Sequence, residues 1–164
     1  MSKHHRNRNW APAPQPLPED AHVIDNHTHV ASVVPFSQAM SHEAMEKGQG
    51  EVPVYSVDEL LKQAQDVGVE GVIDCGCELP NLMTAIDMAR EHPGTVHAAI
   101  AIHPNEAVLH GHRGAPGPDG LPIKYKPWHD IPFDEAMAEV HRLATTYPNQ
   151  VVAIGETGMD LFRT

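Results

Sequence analysis

The sequence predicts an α/β fold built on a parallel sheet, and three observations lead there. Four short apolar runs, at 21–24, 69–76, 95–102 and 151–154, alternate with helical stretches at 57–67, 81–90 and 133–146. Such alternation is the pattern of βαβ units, whose crossovers are right-handed. The last run, Val151-Val152-Ala153-Ile154, has no polar alternation, as expected of a fully buried parallel strand. Finally, the chemically capable residues fall at the C-terminal ends of the runs: His27 with His29, Cys75 with Cys77, His103, and Glu156. Parallel α/β folds place their chemistry at that edge of the sheet.

The elements follow in order. Residues 1–18 interleave Pro12, Pro14, Pro16 and Pro18 and read as a disordered tail leaning to polyproline II. A domain over 19–164 follows. Its first strand runs into Asp25-Asn26-His27-Thr28-His29. Strand residues i and i+2 share a face, so His27 and His29 can aim two imidazoles at one point. Neutral imidazole is a common ligand of transition metals. The pair is either a metal clip or part of a solvent-facing loop. Ser56 with Glu59 forms a capping-box pattern ahead of Val57, Leu60, Leu61, Ala64 and Val67, which recur at helical spacing, and Gly68 follows.

The run at 69–76 ends at Cys75-Gly76-Cys77, two thiols that either bind metal, act in redox chemistry or are inert. Leu82, Met83, Ala85, Ile86 and Ala89 form the next helical stripe, which stops near Pro93-Gly94. The third strand ends at His103-Pro104. A Pro/Gly-rich insertion at about 111–132 is long for a connection and is either a lid or an inert surface segment. Its Lys124, Tyr125, Lys126 and Trp128 suit either contact with a base and phosphates or a plain surface loop. Phe133, Ala136, Met137, Val140, Leu143 and Ala144 mark the last helix, which ends before Pro148. Glu156 then stands between Gly155 and Gly158, in a sharp turn where a carboxylate caps a helix or binds a ligand.

Composition narrows the function. Net charge is −11, and Lys3, Arg6 and Arg8 lie in the leading tail, so the domain itself is more acidic still. That is not the electrostatic footprint of a nucleic-acid binder, although metal ions can supply positive charge at a phosphate. The sequence shows neither a secretory apolar segment nor an apolar run of the roughly 18 residues needed to span a membrane. A cytoplasmic location is the default expectation.

Three motifs resemble the TatD family of metal-dependent hydrolases, within the amidohydrolase-type (β/α)8 TIM barrels. The family's Asp-x-His-x-His is matched by Asp25, His27 and His29. Its Gly-x-His-Pro is matched by Ala101-Ile102-His103-Pro104, with Ala in place of Gly. Its Ile-Gly-Glu-x-Gly-Leu-Asp-Tyr/Phe is matched by Ile154-Gly155-Glu156-Thr157-Gly158-Met159-Asp160-Leu161-Phe162, with Met for Leu and an added Leu161. The resemblance spans about residues 22–163. It implies that His27 and His29 bind one metal and that Glu156 bridges to a second. His103 would donate to a phosphate oxygen, or hold its own loop. Asp25 would orient a ligand imidazole, or make a strand-end hydrogen bond. Asp160 and Arg163 stay outside the site.

The resemblance implies a deoxyribonuclease that cleaves phosphodiester bonds, often from the 3′ end, using two divalent ions among Zn, Mn, Ni and Mg. Two alternatives stand beside it: a barrel amidohydrolase acting on an amide or ester, and an inactive metal-binding fragment. The substrate would be DNA, another phosphodiester or a small molecule. A barrel of this type needs eight strands, and about four are present. The later ligands of the family would follow Thr164. The sequence therefore reads as an N-terminal portion, completed by self-association or by a complementary C-terminal half.

Overall fold

The structure is a computed structural model that describes residues 16–18, 20–48, 53–114, 116 and 124–159. Residues 1–15 of the expected 1–18 tail, positions 19 and 49–52, positions 115 and 117–123 of the insertion, and the segment 160–164 lie outside the described residues. Strands β1 (Val23–Thr28), β2 (Val69–Gly76), β3 (Val96–Ile100) and β4 (Val151–Ile154) form one sheet in chain order, and every neighbouring pair is parallel. Helices α1 (Val30–Glu46), α2 (Val57–Asp66), α3 (Leu79–Glu91), α4 (Pro104–Ala107) and α5 (Phe133–Thr146) lie between the strands. This is the opening part of a TIM-type (β/α) barrel.

The helical stripes read from the sequence face the core as their spacing requires, except at Phe133, which starts α5 and is exposed. On the helix side of the sheet, Val72, Val96, Ala98 and Ile100 meet Leu82 and Ile86 of α3 and Ala136, Val140 and Leu143 of α5. Leu82 and Ile86 are fully buried, each contributing about 1.5–3 kcal/mol of apolar transfer. The capping box at Ser56 forms in full: Ser56 Oγ accepts from the Glu59 N–H, and Glu59 Oε2 accepts from the Ser56 N–H. Gly68 adopts φ +97°, the left-handed conformation that follows a helix end. At Gly76 the need is steric. A Cβ there would lie 2.8 Å from the Asn81 carbonyl oxygen and 3.0 Å from Leu82 Cα. Glycine lets α3 close down on the end of β2.

Two expectations are corrected. Periodicity assigns no element to residues 30–46, yet α1 occupies them. Its stripe is weak, since only Val30, Ser37 and Ala44 are buried, and Pro35 sits inside it without an N–H to donate. What starts α1 is a tertiary contact. Asp74 on β2, itself buried, accepts from the N–H groups of Val30 and Ala31, two of the unpaired donors at the helix start.

The second correction concerns 151–154. The run is a strand, but it is not fully buried: Val152 and Ile154 are 52% and 53% exposed. Among the described residues β4 pairs only with β3, so it is the edge of the sheet. An edge strand leaves side chains uncovered that a neighbouring strand and helix would bury.

The described part of the insertion is tied to α4. Tyr125 Oη donates to the carbonyl oxygen of His129 at 2.7 Å, and the Gly111 N–H donates to the same oxygen at 2.8 Å. His129 is buried, with Nε2 2.6 Å from Glu106 Oε2. Trp128 Nε1 donates to Glu106 Oε2, and Lys126 Nζ stands 4.9 Å from the centre of the Trp128 ring.

Candidate metal centre

The site forms where the C-terminal ends of the four strands meet. Along β1, Asp25 pairs with Val72 and Thr28 with Asp74, so three steps on β1 match two on β2. The extra residue is a bulge, which re-aims side chains and leaves a backbone group unpaired. Asp25 Oδ1 accepts that region's His27 N–H at 3.2 Å. The Thr28 hydroxyl donates to the Ile73 carbonyl and ties the bulge to β2. His27 is thereby presented at the mouth of the sheet, with its side chain half exposed.

His29 follows the last residue of β1 and directly precedes α1. Its Nδ1 lies 3.2 Å from the carbonyl oxygen of Cys75. A carbonyl only accepts, so Nδ1 carries the hydrogen and Nε2 keeps a lone pair. That arrangement is the usual support of a metal-binding imidazole. His103 has the opposite arrangement. Its Nδ1 accepts from the Asn105 N–H at 3.1 Å, so Nε2 is the nitrogen that carries a proton. The backbone N–H of His103 donates to the Cys77 carbonyl.

Glu156 is reached by continuing the ladder past β4, where the Gly155 N–H donates to the Ile100 carbonyl. Its Oε1 lies 2.6 Å from His27 Nε2. Its Oε2 accepts from Cys77 Sγ at 3.0 Å and lies 3.5 Å from His103 Nε2. His27, His29 and Glu156 each offer a ligand atom within 4.8 Å of the other two. The two imidazole rings stand edge to face, 5.4 Å between centres. Two imidazoles and a carboxylate are a suitable donor set for a divalent ion, and the fixed tautomer of His29 fits that role.

Burial sets the charge states around the triad. It pushes the Cys77 thiol far above the usual thiol range, and the hydrogen bond to Glu156 pushes the same way. Burial also raises Cys75, and the nearby Glu156 carboxylate adds to it. Asp74 is raised by burial, against the opposing effect of the Ala31 and Val30 N–H groups and of His29. Further out, burial and the charge of Glu106 raise Glu78, offset by Lys126 and His129.

The structure thus brings His27, His29 and Glu156 together and sets His103 beside them. It places Asp25 on the backbone of His27. Four further residues receive no role from sequence reading. Cys77 belongs to a Cys-x-Cys that sequence reading leaves undecided. Asp74 looks like an ordinary strand residue. The Glu106–His129 pair joins α4 to the insertion, and spacing alone cannot show it.

Comparison with known proteins gives two findings. The family model described as TatD related DNase matches residues 24–164. The 3′-5′ ssDNA/RNA exonuclease TatD of Erwinia tasmaniensis is 28% identical over 106 residues, a stretch that covers 65% of this chain and 32% of that relative. The match thus spans under two thirds of the relative's length.

Proposed function

The chain belongs to the TatD-related DNase family, and from that premise we propose that it forms part of a metal-dependent phosphodiesterase acting on single-stranded nucleic acid from its 3′ end. The observation that carries the reading is the convergence of His27, His29 and Glu156 within 4.8 Å at the strand ends. His29 Nε2, His27 Nε2 and Glu156 Oε1 would hold a divalent ion. When bound, such an ion supplies Lewis acidity toward a phosphate and lowers the pKa of a water molecule.

The chain's own residues supply position and hydrogen bonds. The protonated Nε2 of His103, fixed by the Asn105 N–H, can donate to a phosphate oxygen. Bound cations would also offset the −11 charge that repels a polyanion. A second ion bridged by Glu156 needs ligands beyond those of the triad. Strands pairing with the β4 edge, from a second copy or a complementary segment, would supply them and cover Val152 and Ile154.

The test is a metal-dependent exonuclease assay on 5′-labelled single-stranded DNA with the purified chain, beside a His27→Ala/His29→Ala control. Stepwise shortening that disappears in the control supports the reading. Metal binding without any shortening counts against activity of this chain alone. The acidic charge favours a second reading, a barrel hydrolase acting on a small amide or ester. Turnover of neutral esters but not of DNA would select it.

A further inference from the structure

Cys77 is a thiol at the end of β2 to which the Cys-x-Cys pattern assigns no role. It follows Gly76 at the end of β2, and its backbone is held on both sides. Its N–H donates to Asn81 Oδ1 at 3.0 Å, the oxygen that also accepts from the Glu78 N–H at 2.7 Å. Its carbonyl accepts from the His103 N–H at 2.9 Å. The close seat of α3 over Gly76 fixes this arrangement, because no side chain fits there. The Cys77 side chain therefore projects from a rigid support, and its Sγ donates to Glu156 Oε2 at 3.0 Å.

The two oxygens of Glu156 are consequently differentiated. Oε2 faces the β2 and β3 ends, where Cys77 and His103 lie. Oε1 faces His27 at 2.6 Å. We propose that Cys77 is a positioning residue for the metal centre, whose S–H bond anchors Glu156 Oε2 so that Oε1 is presented to His27 and His29. The inference rests on the metal-centre reading above. A thiol carries one hydrogen, which Cys77 directs at Glu156 Oε2. Without it the carboxylate can rotate about its last bond, and the ion loses a preset ligand. Partners that orient metal ligands typically change metal affinity by about 10–100-fold.

The experiment is a cobalt(II) titration of the full chain by calorimetry and absorption, in parent, Cys77→Ser and Cys77→Ala, each also in a Glu156→Ala background. Serine retains a donor, so Cys77→Ser should stay within about threefold of the parent, whereas Cys77→Ala should weaken binding by about tenfold. In the Glu156→Ala background the Cys77→Ala change should have no further effect, which a general structural role would not reproduce. If Cys77→Ala does not fold, Cys77→Val, which fills the volume without a donor, replaces it.

Unchanged affinity in Cys77→Ala overturns the proposal. So does an equal loss in both backgrounds. A thiolate-to-cobalt absorption band in the parent, lost in Cys77→Ser, also overturns it, because Cys77 is then itself a ligand. A folded parent that binds no cobalt overturns the metal-centre reading and this inference together. Binding that His27→Ala/His29→Ala removes but Cys77→Ala leaves intact overturns this inference alone.

Discussion

His29 Nδ1 lies 3.2 Å from the carbonyl oxygen of Cys75, and this contact across β1 and β2 decides which imidazole nitrogen is available to a ligand. The neighbouring strand thus contributes to the site through its backbone as well as its side chains. On the proposed metal-centre reading, His29→Ala is expected to weaken divalent-metal binding by at least about tenfold, and His29→Gln, which offers only an amide oxygen in place of the imidazole nitrogen, should recover only part of it. Calorimetric titration with zinc or manganese measures both variants. Equal affinity in His29→Ala and parent would remove His29 from the centre.

Asp74 gives a pH prediction. Burial raises its pKa above the ordinary 3.8, so the folded chain takes up the Asp74 proton more readily than the unfolded chain. Its contribution to stability is therefore greatest at low pH. It falls as pH rises from the unfolded pKa through the raised folded one. In chelator-treated protein, the parent should lose stability relative to Asp74→Asn across that interval, seen as a pH-dependent difference in urea midpoint. Asp74→Ala should cost about 1 kcal/mol, because the α1 N–H groups lose their acceptor. A pH-independent difference between parent and Asp74→Asn would contradict this.

Gly76→Ala tests the close seat of α3. The added methyl group would meet backbone at 2.8 Å and 3.0 Å, and neither atom is the end of a flexible side chain. Overpacking of this kind costs about 1–3 kcal/mol. The midpoint of urea unfolding should fall, and metal affinity should fall with it, because Cys77 and its link to Glu156 move. A variant as stable as the parent would show that α3 can shift without loss.

Glu106→Gln tests the buried pair with His129. Glu106 Oε2 accepts from His129 Nε2 and from Trp128 Nε1. Glutamine keeps one acceptor but loses the charge assistance. A modest loss of about 1 kcal/mol is expected, against about 2–3 kcal/mol for Glu106→Ala, which leaves a buried donor unmet. Proteolysis should then cut the segment around 124–131 faster, since its anchor to α4 is released. Unchanged cleavage would mean that Tyr125 and its bonds hold the segment alone.

Sequence by itself determined the strand–helix alternation, because apolar spacing reflects which face of each element meets the core. It also determined the capping box at Ser56, a bond between residues three apart, and the strand-end positions of His27, His29, His103 and Glu156. Helix α1 was not legible, since its stripe is weak and its start is satisfied by Asp74 from another strand. Nor was the exposure of Val152 and Ile154, because burial of a strand depends on neighbours that its own residues do not specify. The tertiary structure alone decided the bulge that turns His27, the tautomer of His29, and the contact of Cys77 with Glu156. Each of these depends on a hydrogen bond between distant segments, and local sequence carries no record of which distant donor or acceptor will arrive.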